Sequence, residues 1–303
     1  MAEPPTPAAF AQLLRDEGVT VVEVSDWQDH NRNHKGPWGP VHGVMIHHTV
    51  TKGTARTVEI CRDGHDALPG PLCHGVIAKD GRVHLVGYGR ANHAGLGDGD
   101  VLAAVIADRT APVDNEADTD GNRYFYGFEC ENLGDGHDPW PAAQLEAIER
   151  VAAAICRHHG WDPLSVIGHL EWQPGKVDPR GFTMDWMRGK VADRLKVDKP
   201  TTPLPAPRRP VVDLSKLVNA AKTNPKMAAR TVTYSGVKTV EAALVDAGYL
   251  AKTYLDGHYG TTTVAAYAAW QRHLGYSGTA ADGIPGKTSL SKLGKRYGFD
   301  VVA

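Results

Sequence analysis

The run from Lys199 to Pro210, KPTTPLPAPRRP, holds five prolines in twelve residues and offers almost nothing to bury. Proline fixes its own φ and removes a backbone donor, so the run stays extended and cannot join a packed core. The chain therefore reads as two bodies and a stiff linker, over 1–198, 199–210 and 211–303. Within 303 residues, either body is long enough to bury a core of its own. Charge changes at the same place: from Val211 onward there are 11 Lys and Arg against 6 Asp and Glu, and before it 22 against 29. An anionic polymer suits the second body on this count, and so does a solvated surface with no electrostatic role. A net charge of −2 gives no sign of a nucleic-acid binder.

In the first body the expected elements alternate. Pro7 to Glu17 reads as a helix, Val19 to Val24 as a strand, and Val41 to Ile46 as a strand running into two histidines. Cys73 to Ala78 and Arg82 to Val86 flank Lys79-Asp80-Gly81, a hairpin signal. Tyr124 to Cys130 reads as a further strand and Val166-Ile167 as a short one. Between them Leu145, Ile148, Val151, Ala152 and Ile155 repeat at helical spacing within Pro141 to His159. This is an α/β pattern, a mixed central sheet flanked by helices. The second body reads as a small three-helix domain, over Thr239 to Ala247, Thr263 to Leu274 and Thr288 to Tyr297. Asp256 to Thr262 and Asp282 to Thr288 both fit D-G-x-x-G-x-T, which marks an internal duplication. Glycine supplies the tight turn, and the threonine is placed to cap the helix that follows.

Of 15 histidines, seven lie between His42 and His93. His47 ends the apolar run Val44-Met45-Ile46, where a strand holds an imidazole rigidly. His169 stands in the same situation after Val166-Ile167-Gly168, and Asp178 follows within Gly175-Lys176-Val177-Asp178-Pro179. Two histidines and a carboxylate make a catalytic zinc set with one position left for water. Adjacent side chains on a strand face opposite ways, so only one of His47 and His48 can serve.

Taken in order, the strings IHHTVT, CHGVIAKDGRVHLVG, NHAG, YGFECEN and IGHLEWQPGKVDP resemble the zinc-dependent N-acetylmuramoyl-L-alanine amidases, which share their fold with phage lysozyme-amidases and peptidoglycan-recognition proteins. The resemblance covers roughly Val41 to Arg194. It implies one Zn2+ per chain on His47, His169 and Asp178, and it favours His47 over His48. It implies hydrolysis of the amide between N-acetylmuramic acid and L-alanine, with the metal activating water and polarising the carbonyl. Glu129 matches the family's catalytic glutamate, with Glu131 two residues on as its understudy. Lys176 is the cation that would stabilise the oxyanion.

His93, in Asn92-His93-Ala94-Gly95, aligns with a position lining the substrate groove, where it either binds substrate or orients a ligand. Some phage members place a catalytic tyrosine just before a histidine, whereas here the dipeptide is Cys73-His74. A thiol does not replace that phenol, so the burden moves to Glu129, and Cys73 and His74 are left as substrate-binding residues. A Cys73-His74 nucleophilic pair is the alternative.

Val240-x-x-x-Leu244, the two glycine turns, and Ala266 to Gly275 with Trp270-Gln271 resemble the peptidoglycan-binding domain type 1 family. Trp270 is either core or ligand contact. Cys61, Cys73, Cys130 and Cys156 form no C-x-x-C pair, so free thiols are expected. The N-terminus shows no signal peptide and no stretch is apolar enough to insert in a membrane. Enzyme first and binder second implies a phage endolysin: a monomer made in the host cytoplasm, released through a holin, with bacterial peptidoglycan as its partner. A non-catalytic peptidoglycan-recognition protein and a cytosolic muropeptide-recycling amidase are the competing readings.

Overall fold

A computed structural model of the chain describes residues 2–197 and 209–303. The chain divides into two compact units, Met1–Pro207 and Arg208–Ala303. Most of the proline-rich linker, 199–208, lies outside the described residues.

The first unit is built on a six-stranded sheet. Its strands are β1 (Val21–Glu23), β2 (Gly43–His48), β3 (Gly75–Ile77), β4 (Val83–Leu85), β5 (Phe125–Cys130) and β6 (Val166–Gly168), ordered β1-β4-β3-β5-β2-β6. Only β3 and β4 run antiparallel, across a hairpin where Asp80 Oδ1 accepts from Arg82 N at 3.0 Å; the other pairs are parallel. The helices are α1 (Pro7–Asp16), α2 (Thr54–Asp63), α3 (Gly99–Ile106), α4 (Ala142–His159) and α5 (Met184–Leu195).

Strand parity sorts the two faces. Val44 and Ile46 of β2, Tyr126 and Phe128 of β5 and Val166 of β6 point into the main core with α1 and α4. There Ile148, Val151, Ala152 and Ile155 present the stripe that their spacing predicts. Met45, Phe125 and Ile167 point the other way, against α3 and Trp172. The first 39 residues belong to this body: Phe10, Ala11 and Leu14 of α1 are buried in the main core, and β1 closes one side of the sheet. Thr6 starts α1, its Oγ1 accepting from Ala9 N at 3.3 Å.

The second unit adds a fourth helix to the three expected, α6 (Leu214–Thr223), before α7 (Gly236–Asp246), α8 (Thr261–His273) and α9 (Lys287–Tyr297). A parallel pair, β7 (Val211–Asp213) and β8 (Asp300–Val302), ties its two ends together. Trp270 is core, 2% exposed with its indole N–H donated to Ser289 O at 3.0 Å. The duplicated turns are closed from inside. Glu241 Oε2 accepts from Gly257 N at 2.7 Å, and Gln271 Oε1 accepts from Gly283 N at 2.7 Å. Gly257 and Gly283 sit at φ +84° and +79°, where a Cβ is unfavourable. The threonines do not cap: α8 and α9 begin on Gly260 and Gly286, which leaves Thr262 and Thr288 inside the first turn.

Burial pushes the Glu241 carboxyl up from 4.5 to about 7, against the pull of its hydrogen bonds from Gly257 and Thr263. A raised carboxylate pKa means that the folded unit holds this proton where the unfolded chain has released it. The contribution of Glu241 is therefore fullest below pH 4.5 and declines as pH rises through 7, by about 2 kcal/mol after allowance for solvent screening. Glu241→Gln, which copies the amide at Gln271, is expected to flatten this dependence. Thermal unfolding at pH 5 and pH 8 measures it, and an unchanged pH slope would rule Glu241 out as its source.

Candidate active site

Strand register brings three of the expected residues together. His47 on β2 pairs with Glu129 on β5. On the other side Gly168 of β6 pairs with Ile46, so His169, one step further on, comes up beside His47. His169, His47 and Glu129 thus form one row at the carboxyl ends of parallel strands, where α/β sheets place their ligands. The turn after β6 is fixed by Glu171, which accepts from Gly168 N at 3.0 Å and is forked by Arg188 at 2.9 Å. The following loop folds back as Leu170 N donates to Asp178 O at 2.8 Å, which returns Asp178 to the row.

Three acceptor atoms then face one another. His47 Nδ1 lies 3.0 Å from His169 Nδ1 and 3.1 Å from Asp178 Oδ2, and His169 Nδ1 is 3.1 Å from that same oxygen. Neighbouring groups fix the tautomers. A backbone carbonyl can only accept, so His93 Nε2–H must donate to Phe125 O at 3.2 Å. His93 Nδ1 is then an acceptor, and His47 Nε2–H donates to it at 3.1 Å, which leaves His47 Nδ1 bare. His169 is set likewise, its Nε2–H donating to Gln173 Oε1 at 3.1 Å. Burial pushes His47 down to about 4, so the ring is neutral at pH 7. Asp178 stays anionic well below the usual carboxylate range; burial opposes this, and contact with His169 and His47 prevails.

Two bare imidazole nitrogens and a carboxylate oxygen repel one another unless a cation lies among them, and together they are a metal-ligand set. A regular tetrahedron with bonds of about 2.0–2.1 Å has edges of about 3.3 Å, close to the separations found. The residues fit a divalent metal. Residues 37–181 also match the family profile described as N-acetylmuramoyl-L-alanine amidase.

That match lies within the first unit and spans 145 of the chain's 303 residues.

Solved structures similar to the chain include the endolysin N-acetylmuramoyl-L-alanine amidase LysCS from Clostridium intestinale, at 16% identity over 57% of this chain and 95% of that one, with a TM-score of 0.39. Staphylococcus aureus hydrolase AmiA is 12% identical over 64% of this chain and 93% of its own, with a TM-score of 0.41. Drosophila peptidoglycan recognition protein SA is 17% identical over 50% and 80%, with a TM-score of 0.31. At these scores they add nothing to the family match. No curated protein sequence matches the chain.

Glu129, the cross-strand neighbour of His47, carries an unpaired carboxyl oxygen. Its Oε2 is buried without a hydrogen-bond partner, and burial, reinforced by Asp178, pushes the carboxyl up to about 8 while Lys176 pulls it back. Lys176 is exposed on the 170–178 loop, and its charge is felt at both Glu129 and His47. Glu131 is no understudy. It accepts from Gly53 N at 2.9 Å and Thr54 Oγ1 at 2.6 Å, so it holds the start of α2. His48 faces away from the triad and accepts from Arg180 N at 3.1 Å.

Cys73 and His74 do not line a groove. The Cys73 thiol is buried against Cys61 in an apolar cluster with Val76 and Val86. His74 is buried with both nitrogens in use, Nε2–H donating to Gly89 O at 2.8 Å and Nδ1 accepting from Gly127 N at 2.9 Å. The two side chains diverge, which excludes the nucleophilic pair as well as the substrate-binding role. All four cysteines are buried free thiols.

His93 is 8% exposed and its nitrogens are spoken for, so it orients His47 rather than touching substrate. Asn122 Oδ1 fixes its loop, accepting from His93 N and Ala94 N, both at 2.8 Å. Gly127 makes room for the ring, since a Cβ there would lie 2.4 Å from His93 Nδ1. Gln173 was not anticipated, though its place four residues after His169 could have flagged it. His93→Ala and Gln173→Ala are each expected to weaken metal affinity about 10–100-fold, measured by competition with a chelator. An unchanged affinity would strip that residue of its orienting role.

Proposed function

We propose that the chain is a zinc-dependent peptidoglycan hydrolase of the endolysin kind, which cuts the amide between N-acetylmuramic acid and L-alanine. The observation that carries this reading is the triangle of bare ligand atoms beside an unpaired buried carboxyl. His47, His169 and Asp178 would hold the zinc, which when bound supplies the Lewis acidity that acidifies water and polarises a carbonyl near neutral pH. Glu129 takes the proton of the attacking water and returns it to the leaving amine. Lys176 supplies positive charge to the developing oxyanion. His93 and Gln173 keep both ligand nitrogens bare.

The second unit would hold the polymer, raising the effective substrate concentration for the first. Among the described residues no helix is long and apolar enough to cross a membrane, and release through a holin supplies the route to the wall. A non-catalytic recognition protein has no use for an unpaired glutamate next to an intact ligand set. Loss of turbidity of purified cell walls, with and without a chelator, tests the reading. Lysis that stops on chelation supports it, and lysis indifferent to the chelator contradicts it.

A further inference from the structure

The two D-G-x-x-G-x-T turns share an internal lock but differ in what they border. The first one lines a cavity of about 390 Å³ in the second unit, between residues 225–230 and 253–263. That volume falls in the range of small-ligand sites. Tyr254 stands on its wall, 46% exposed, and offers a flat aromatic surface to the space. Arg230 lines the same space, and among the described residues no carboxylate pairs with it. His258 has its Nδ1–H committed to Thr231 O at 2.8 Å, so its remaining ring nitrogen is an acceptor. Thr261 and Thr262, both exposed, add hydroxyls. The wall's carboxylate, Asp256, is occupied by the turn, its Oδ1 accepting from His258 N at 2.9 Å.

A stacking ring, a ring-nitrogen acceptor, paired hydroxyls and a free guanidinium answer to the parts of one kind of molecule. The apolar face of a pyranose lies on an aromatic ring. An acetamido group needs an acceptor for its N–H and a donor for its carbonyl. A peptide carboxylate takes a guanidinium in preference to an ammonium. We propose that this cavity is a binding site for a single muropeptide unit, an N-acetylated amino sugar bearing a peptide carboxylate, with Tyr254 under the sugar and Arg230 on the carboxylate. The inference rests on the wall-binding reading of the second unit and names the place where binding occurs.

The test uses the full chain carrying Glu129→Gln, so that the wall is held and not digested, in co-sedimentation with purified sacculi. The parent is expected to sediment. Adding Tyr254→Ala and Arg230→Ala together is expected to weaken binding about ten-fold or more. Arg230→Lys alone is expected to recover part of the loss, which a misfolded unit would not do. If the parent sediments and the doubly changed chain sediments equally well, the cavity is not the site. If the parent itself stays in solution, the wall-binding reading of the second unit falls, and this inference with it.

Discussion

Replacing Glu129 by glutamine is expected to lower wall cleavage by about 10²–10⁴-fold, the usual contribution of a positioned acid–base group, while metal content stays unchanged. Both halves follow from where Glu129 stands. It is outside the ligand triangle, which is formed by His47, His169 and Asp178. It is also the cross-strand neighbour of His47, so its carboxyl faces the same corner of the sheet. Glu131, the next acid on the same strand face, is tied to Gly53 and Thr54 and does not substitute. Folding should survive, since an amide of the same shape replaces a carboxyl that has one buried oxygen unpartnered. Activity assays beside metal analysis of one preparation read both effects. Full activity in the variant would move the base elsewhere.

Asp178→Ala is expected to do the opposite, abolishing metal binding and activity together. The bare nitrogens of His47 and His169 remain, but two neutral ligands without the carboxylate neither balance the ion's charge nor complete its third corner. The loss should exceed the 10–100-fold expected of outer contacts such as His93 and Gln173. Stability offers a readout independent of turnover. A ligand present at a thousand times its Kd adds about 4 kcal/mol to the folded state. The parent chain should therefore show a clear zinc-dependent rise in Tm that Asp178→Ala does not show. An equal rise in both would place the metal at another site.

Strand parity in the apolar run of β2 showed that only one of His47 and His48 could serve, and resemblance chose His47; in the structure Met45 and Ile46 do pack on opposite faces. Glu129 came from resemblance, and strand register sets it beside His47, whereas the folded-back loop after β6 is what returns Asp178. Cys73 and His74 were misplaced because a hairpin read alone has a free side. Here β5 returns along β3 and encloses it, which no local pattern in residues 73–86 reveals. The helices that went unseen had weak signals. In α5 the inward residues Met184, Met187 and Val191 are offset by Trp186 facing out. In α6 the buried face is mainly Ala220 and Ala221, too small to mark a stripe. The role of His93 depends on Phe125 O and Asn122, partners that only tertiary structure supplies.

Mass spectrometry of purified peptidoglycan digested by the chain tests the central claim most directly, run as isolated, after chelation and after zinc is restored. Fragments with newly freed L-alanine amino termini should appear in the first digest, vanish in the second and return in the third. Glycan or cross-bridge cuts in place of that bond, or L-alanine termini released equally with the metal removed, would contradict it.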